Sequence, residues 1–356
     1  MTDKTESFLK RRWKLILNLL TLVALAVLVY FIRDQLLETL KNLKNVNAWV
    51  LLLMIPMQLL NYHAQTKMYL DLFRIVGNNL TYKFLFRTSL ELNMVNHVFP
   101  SGGVTGISYF GLRMRDGEKI TAAKATLVQV MKLVLLFLSF EILLIAGLIF
   151  LAVGDKANDL MLFVAGSLST VMVVGTGAVA YIVGSKRRIN TFFTTITRIL
   201  NRLIQIVRPK HPETINIEQA RHAFDDMHEN YLVFKRHYKE LKAPFWWAVL
   251  ANATEVATIY VVYIAFNEWV NVGAVILAYA VANFAGLVSV LPGGVGVYEA
   301  LMTGVLSAGG VPARLSLPVT VMYRVINTIL QIVPGYYFYH KALKGDKAAK
   351  HIEDSV

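Results

Sequence analysis

There is no cysteine among the 356 residues. Disulfides, thiolate nucleophiles and Cys-ligated metal sites are therefore excluded. Charge is also scarce. Asp, Glu, Lys and Arg make up 17% of the chain, against roughly 25% in soluble domains. With 56% hydrophobic residues, too little polar surface remains to shield the apolar area from water, and the bilayer is the solvent that suits it. No nucleotide-binding loop occurs, so no nucleotide-driven step is read from the sequence. No cluster of residues has metal-ligand spacing, no nucleophile–base pair stands out, and no cofactor is expected. The reading is not of an enzyme.

What is present is a series of long apolar runs. A run of about 18 apolar residues is long enough to cross a membrane as a helix. Such runs occupy 15–32, 48–64, 127–152, 160–183, 245–266 and 317–338. The first follows Lys10, Arg11, Arg12 and Lys14 and contains Ala24-Leu-Ala26, as a cleaved signal peptide would. Its apolar residues continue through Ile32, beyond the roughly 7–15 residues of a signal core. It reads as a retained signal anchor.

The net charge of +13 would suggest nucleic acid for a soluble chain; its distribution argues for a membrane instead. With the N-terminus in the cytoplasm, the inside segments are 1–14, 67–87, 113–124, 185–242 and 341–356, and they hold 29 Lys and Arg residues. The outside segments are 33–47, 154–159, 267–272 and 309–315, and they hold 5. Cytoplasmic loops carry such an excess. A multi-pass plasma-membrane protein with both termini cytoplasmic is expected.

Two cations fall within spans, Lys132 and Arg324, and each follows a chain break. Asn96-His-Val-Phe-Pro100-Ser-Gly-Gly-Val104 resembles Ser289-Val-Leu-Pro292-Gly-Gly-Val295, with the prolines 192 residues apart. Lys132 and Arg324 each lie 32 residues after their proline, and Ser139 and Gln331 share that register. The spacing predicts an all-α integral membrane fold of six full spans plus two broken helical hairpins, arranged as inverted repeats. The hairpins are re-entrant or pairs of short full spans. Repeat one covers 15–152 and repeat two 160–340, the latter interrupted by 185–242. Such repeats place a substrate site at their interface near midplane.

Proline lacks an N–H and glycine permits sharp turns. Breaks at Pro100 and Pro292, with Gly102, Gly103, Gly293 and Gly294, therefore start the returning helices inside the membrane. Their unpaired N–H groups and positive dipole ends suit an anion. The competing reading is close helix packing through small residues. Thr320, Arg324, Asn327 and Gln331 form one polar stripe at helical spacing. Arg324 and Lys132 are candidate anion ligands, because an ionisable group in a span is a functional hypothesis by default. The alternative is a structural ion pair with Glu141, Glu255 or Glu299. Glu255 and Glu299 would pair with Arg324, receive a cationic headgroup or carry a proton. Asn96 and Tyr298 complete the candidate set, and His63 and His97 read as packing partners. Within 186–208, six basic residues interleave with an apolar face, which reads as an amphipathic helix on anionic inner-leaflet lipid; nucleic acid is not the expected partner. A second, more polar helix is expected over 213–242 and a short disordered cytoplasmic tail over 341–356.

Leu291-Pro-Gly-Gly-Val-Gly-Val-Tyr-Glu299 and the Pro-Ser-Gly-Gly turn after Asn96 resemble the flippase-like transmembrane family found as the N-terminal half of lysylphosphatidylglycerol synthetase/flippase (multiple peptide resistance factor). The resemblance covers about 10–340. It implies flipping of phosphatidylglycerol or lysyl-phosphatidylglycerol through a polar cavity between repeats, with a separate lipid-modifying enzyme as a candidate partner. The full-length synthetase adds a soluble transferase domain. This chain ends at Val356, so no synthase activity is carried over. The alternatives are a transporter of a small soluble anion or of a lipid-linked sugar phosphate, and a membrane-embedded lipid transferase.

Overall fold

The computed structural model describes residues 23–24, 26–27, 29–99, 104–207, 217–288 and 294–353. Among them all regular structure is helical. Helix α1 covers 29–42, and a 3-10 turn at Leu43–Asn45 follows. The single turn α2, Ala48–Leu51, is capped by the Asn47 side chain. It is separated from α3, Met54–Ile75, because Pro56 supplies no N–H to continue the ladder. Then come α4 (Tyr82–Val98) and α5 (Val104–Glu118), α6 (Ala122–Val153) and α7 (Asp159–Val183). Thr81, Thr121 and Asn158 cap α4, α6 and α7 by accepting from backbone N–H groups of the first turn. The basic α8 (Lys186–Val207) and the more polar α9 (Ile217–Arg236) precede a 3-10 turn at Tyr238–Leu241. Four helices close the chain: α10 (Lys242–Ala265), α11 (Val272–Val288), α12 (Val297–Ala308) and α13 (Ala313–Glu353).

Four stretches are long and apolar enough to cross a membrane: Ala122–Val153, Asp159–Val183, Tyr238–Ala265 and Ala313–Ala342. The chain is a multi-pass membrane protein. Two expected boundaries move. Helix α1 runs ten residues past the apolar stretch ending at Ile32, since 33–42 keeps polar and apolar residues at helical spacing and has no breaker. The tail expected to be disordered continues α13 through Glu353. Its Ala and Lys residues favour helix, and lysines suit a helix C-terminus.

One succession of helices occurs twice. Helices α3, α4, α5 and α6 begin at 54, 82, 104 and 122; α10, α11, α12 and α13 begin at 242, 272, 297 and 313. The displacements are 188, 190, 193 and 191 residues, close to the 192 between the two prolines. Both short pairs fold back on themselves. In the first, Glu91 meets Tyr109 and Arg113. In the second, a Cβ on Gly309 would lie 2.7 Å from the Ala274 Cβ. Each pair also packs against the long helix of the other half: α4 on α13 and α11 on α6, while α3 lies along α10. Glycine makes those approaches possible. A Cβ on Gly335 would lie 2.5 Å from the Leu90 carbonyl oxygen, and one on Gly273 would lie 2.1 Å from that of Gly147.

The buried apolar residues form two main clusters at different heights on the same helices. On α6 one cluster takes Ala123–Leu135 and the other Phe140–Leu151; on α10 they take Ala248 and Val256–Ala265. Polar side chains fill the seam. Asn252 donates to Ser139 Oγ at 2.8 Å, and Asn61 to Thr254 Oγ1 at 3.1 Å and the Ala251 carbonyl at 2.8 Å. In hydrocarbon such groups must be satisfied by protein.

Candidate functional site: a polar cavity between the two halves

A cavity of about 330 Å³ opens at this seam. Its walls come from both halves: Gln65 of α3, Asn93, Asn96 and His97 of α4, Glu255 of α10, Tyr279 and Asn283 of α11, Tyr298 of α12, and five residues of α13. Those five are Tyr323, Arg324, Asn327, Thr328 and Gln331. The predicted stripe on α13 therefore faces the cavity, apart from Thr320, which is fully buried beside it. Pro100, Gly102, Gly103, Pro292 and Gly293, at the two breaks, lie outside the described residues. Gly294 and Gly296 have φ of +67° and +85°, which is left-handed backbone that glycine accepts at no steric cost.

Arg324 and Glu299 form one corner. Arg324 Nη1 donates to Glu299 Oε1 at 2.5 Å, with side chains 13% and 6% exposed. The guanidinium lies 4.6 Å from the centre of the Tyr298 ring. Of the three acids weighed for Arg324, Glu299 is the one that pairs with it. Gln35 Nε2 of α1 donates to the same oxygen at 2.8 Å, and the Gly296 N–H donates to Oε2 at 2.6 Å. Glu299 thus ties α1, the start of α12 and α13 together, and as an acid in a first turn it complements the helix dipole. The sequence placed Glu299 among substrate ligands; in the structure it bonds Arg324, Gln35 and the Gly296 N–H.

Glu255 is different. Tyr323 Oη donates to its Oε2 at 3.2 Å, and Asn327 Nδ2 donates to Tyr323 Oη at 3.2 Å. No cation forms an ion pair with Glu255 among the described residues. Asn327 Oδ1, also in this corner, has no partner there either. The cavity therefore presents a carboxylate at one side and a guanidinium at another.

Lys132 is not a wall residue. Its Nζ donates to Gln65 Oε1 at 2.8 Å and to Tyr69 Oη at 3.1 Å, and lies 4.6 Å from the Tyr69 ring centre. Gln65 stands between it and the cavity and donates in turn to Asn61. Glu141 accepts from Ser169 at 2.5 Å and meets neither cation. His63 bonds Tyr82 at 2.9 Å and packs against Trp247, as a packing histidine should. His97 reaches the cavity wall while bonding the Asn93 carbonyl.

One buried pair escaped the sequence reading. Arg113 Nε donates to Glu91 Oε2 at 3.0 Å, and Tyr109 Oη to the same oxygen at 2.6 Å; Glu91 is 1% exposed. The signal was available. Glu91 and Arg113 lie 11 residues on either side of Gly102, so a hairpin folded there brings them together.

Comparison with known proteins now decides the family. Residues 16–335 match the family described as the lysylphosphatidylglycerol synthase TM region. The chain belongs to this family. A UPF0104 membrane protein of Methanocaldococcus jannaschii is 22% identical over 319 residues, covering 88% of this chain and 90% of the relative. A second UPF0104 membrane protein, from Methanothermobacter thermautotrophicus, is 32% identical over 102 residues, or 29% of this chain and 30% of that one. The match to the synthase TM region confirms the resemblance carried by the two Pro/Gly segments, and no soluble transferase domain is evident within these residues.

Proposed function

We propose that the chain moves an anionic or aminoacylated phospholipid between leaflets, with the headgroup passing through the cavity and the tails remaining in the bilayer. The observation that carries this reading is a polar cavity walled by both halves and holding opposite charges, Arg324 and Glu255, at separate corners. An ionisable side chain within a span costs about 2.5–3.5 kcal/mol on insertion scales, and Glu255 stands there with no ion-pair partner among the described residues. Arg324 is oriented by Glu299; an incoming phosphate competes with that carboxylate for the guanidinium. Glu255 accepts the ammonium of an aminoacyl headgroup. Asn96, Asn327, Gln331 and Tyr298 supply hydrogen bonds along the path. Lys132, behind Gln65, is a second cation on the cytoplasmic side.

In this reading α3–α6 and α10–α13 are oppositely oriented repeats, and α4–α5 and α11–α12 are hairpins broken at Pro100 and Pro292. With α1 and α7 they make six spans and two hairpins, both termini cytoplasmic, in the plasma membrane. The basic helix α8 lies on the anionic inner leaflet. The half-helix starts near Gly102, Gly103, Gly293 and Gly294 add positive dipole ends to the path.

The test is reconstitution in liposomes with headgroup-labelled phosphatidylglycerol, reading leaflet exposure by quenching. Wild-type protein should raise the rate of exchange above that of empty vesicles. No movement of any anionic lipid, alongside uptake of a soluble anion, would turn the reading to small-anion transport. A second measurement addresses Glu255. Glu255→Gln should slow movement of an aminoacylated lipid about tenfold, the worth of one charge-assisted bond, and leave phosphatidylglycerol itself little changed. Equal slowing of both lipids removes Glu255 from headgroup choice.

A further inference from the structure

A second cavity, of about 620 Å³, is apolar and lies away from the first. Leu127, Met131 and Val134 on one face of α6 form its floor, and Thr176, Val179 and Val183 of α7 form its side. Beyond Val183 it is closed by α9 and the following turn, where Tyr231, Lys235 and Tyr238 meet it. It is therefore a groove with an apolar length and a cationic, aromatic end. Among the described residues no acidic side chain lines it.

The helix that forms the side of the groove is sparsely covered by protein. Helix α7 is the least covered of the four apolar helices, with 11% of its most apolar stretch buried. Val171, Val173 and Val174 on it are more than half exposed. Lys235 and Tyr238 are also exposed. Tyrosine and lysine together mark the headgroup level of a membrane, and a basic pocket between helices on the cytoplasmic side suits a phosphate headgroup. Phe234, by contrast, is 1% exposed and fixes α9 against α6.

We propose that this groove is a binding site for one anionic phospholipid, its acyl chain along α6 and α7 and its phosphate at Lys235. The site is separate from the path between the halves and shares none of its residues. Lipid held here joins α9, and with it the basic insertion, to the two apolar helices.

The experiment uses the full chain in nanodiscs of mixed phosphatidylcholine and phosphatidylglycerol, with a tail-diazirine version of one lipid or the other. Photolabelling should map to 127–138 and 176–183 and should favour phosphatidylglycerol. Lys235→Gln, an exposed change, should lower that preference about fivefold, the effect of one basic residue near an anionic surface. Val134→Trp should remove the label from α6 while leaving exchange of lipid between leaflets intact. Equal labelling by both lipids in the wild type, or labelling undiminished in Val134→Trp, overturns the proposal. Loss of leaflet exchange in an Arg324 variant with the groove still labelled leaves this site standing and bears on the cavity alone.

Discussion

Arg324→Ala should abolish lipid exchange and destabilise the fold, and adding Glu299→Gln should restore the fold alone. The reasoning starts from burial. The pair is 13% and 6% exposed, and removing one member of a buried pair leaves the other charge uncompensated, at about 3–5 kcal/mol. Glutamine at 299 keeps a side-chain oxygen for the Gly296 N–H while removing that charge, so the double variant should recover much of the lost stability. On the proposed function, it does not restore the cation that would hold the phosphate. Thermal unfolding in detergent and exchange in liposomes read the two effects separately. The expected pattern is a strong positive coupling in stability with exchange at the empty-vesicle level in both variants. If the double variant exchanges lipid at the wild-type rate, Arg324 is a structural partner of Glu299 and not a lipid ligand.

The second large effect is steric. Gly335→Ala should lower stability by about 3 kcal/mol, the upper end of overpacking changes. The added methyl group would lie 2.4 Å from the Met94 Cβ and 2.5 Å from the Leu90 carbonyl oxygen. The second neighbour is backbone, so no rotamer change relieves the contact; α4 and α13 must separate. Gly304→Ala, on α12 with nothing within 4 Å of its Cβ, should be neutral to within roughly 0.5 kcal/mol. Thermal midpoints of both variants in one detergent check this. A Gly335→Ala protein as stable as Gly304→Ala would show that the α4–α13 contact yields easily.

Much of this was legible in the sequence because bilayer and water impose a coarse code. Apolar runs announced α6, α7, α10 and the middle of α13, and glycine–proline punctuation announced the two short pairs. Of the i, i+4, i+7, i+11 stripe, Arg324, Asn327 and Gln331 line the cavity and Thr320 does not. What the sequence left open depended on distance in three dimensions. Lys132 and Arg324 share a register, yet one stands behind Gln65 and the other on the wall, because α3 interposes a side chain on one side only. Glu255 and Glu299 both stood as partners for Arg324, and the packing of α12 against α13 selects Glu299. Helix ends were misjudged where polar residues kept helical spacing, as in 33–42 and after His340.

The crossing of each short pair onto the other half's long helix sets an order of events during synthesis. Met94 and Gly335 are 241 residues apart. At about 5–20 residues per second, α4 waits on the order of ten to fifty seconds for the helix that covers it. Throughout that interval Glu91 on α4, with its partners Tyr109 and Arg113 on α5, lacks the cover of α13. A chain truncated before α13 leaves that face of α4 without its packing partner, and it should be degraded faster than the full chain in a pulse-chase measurement.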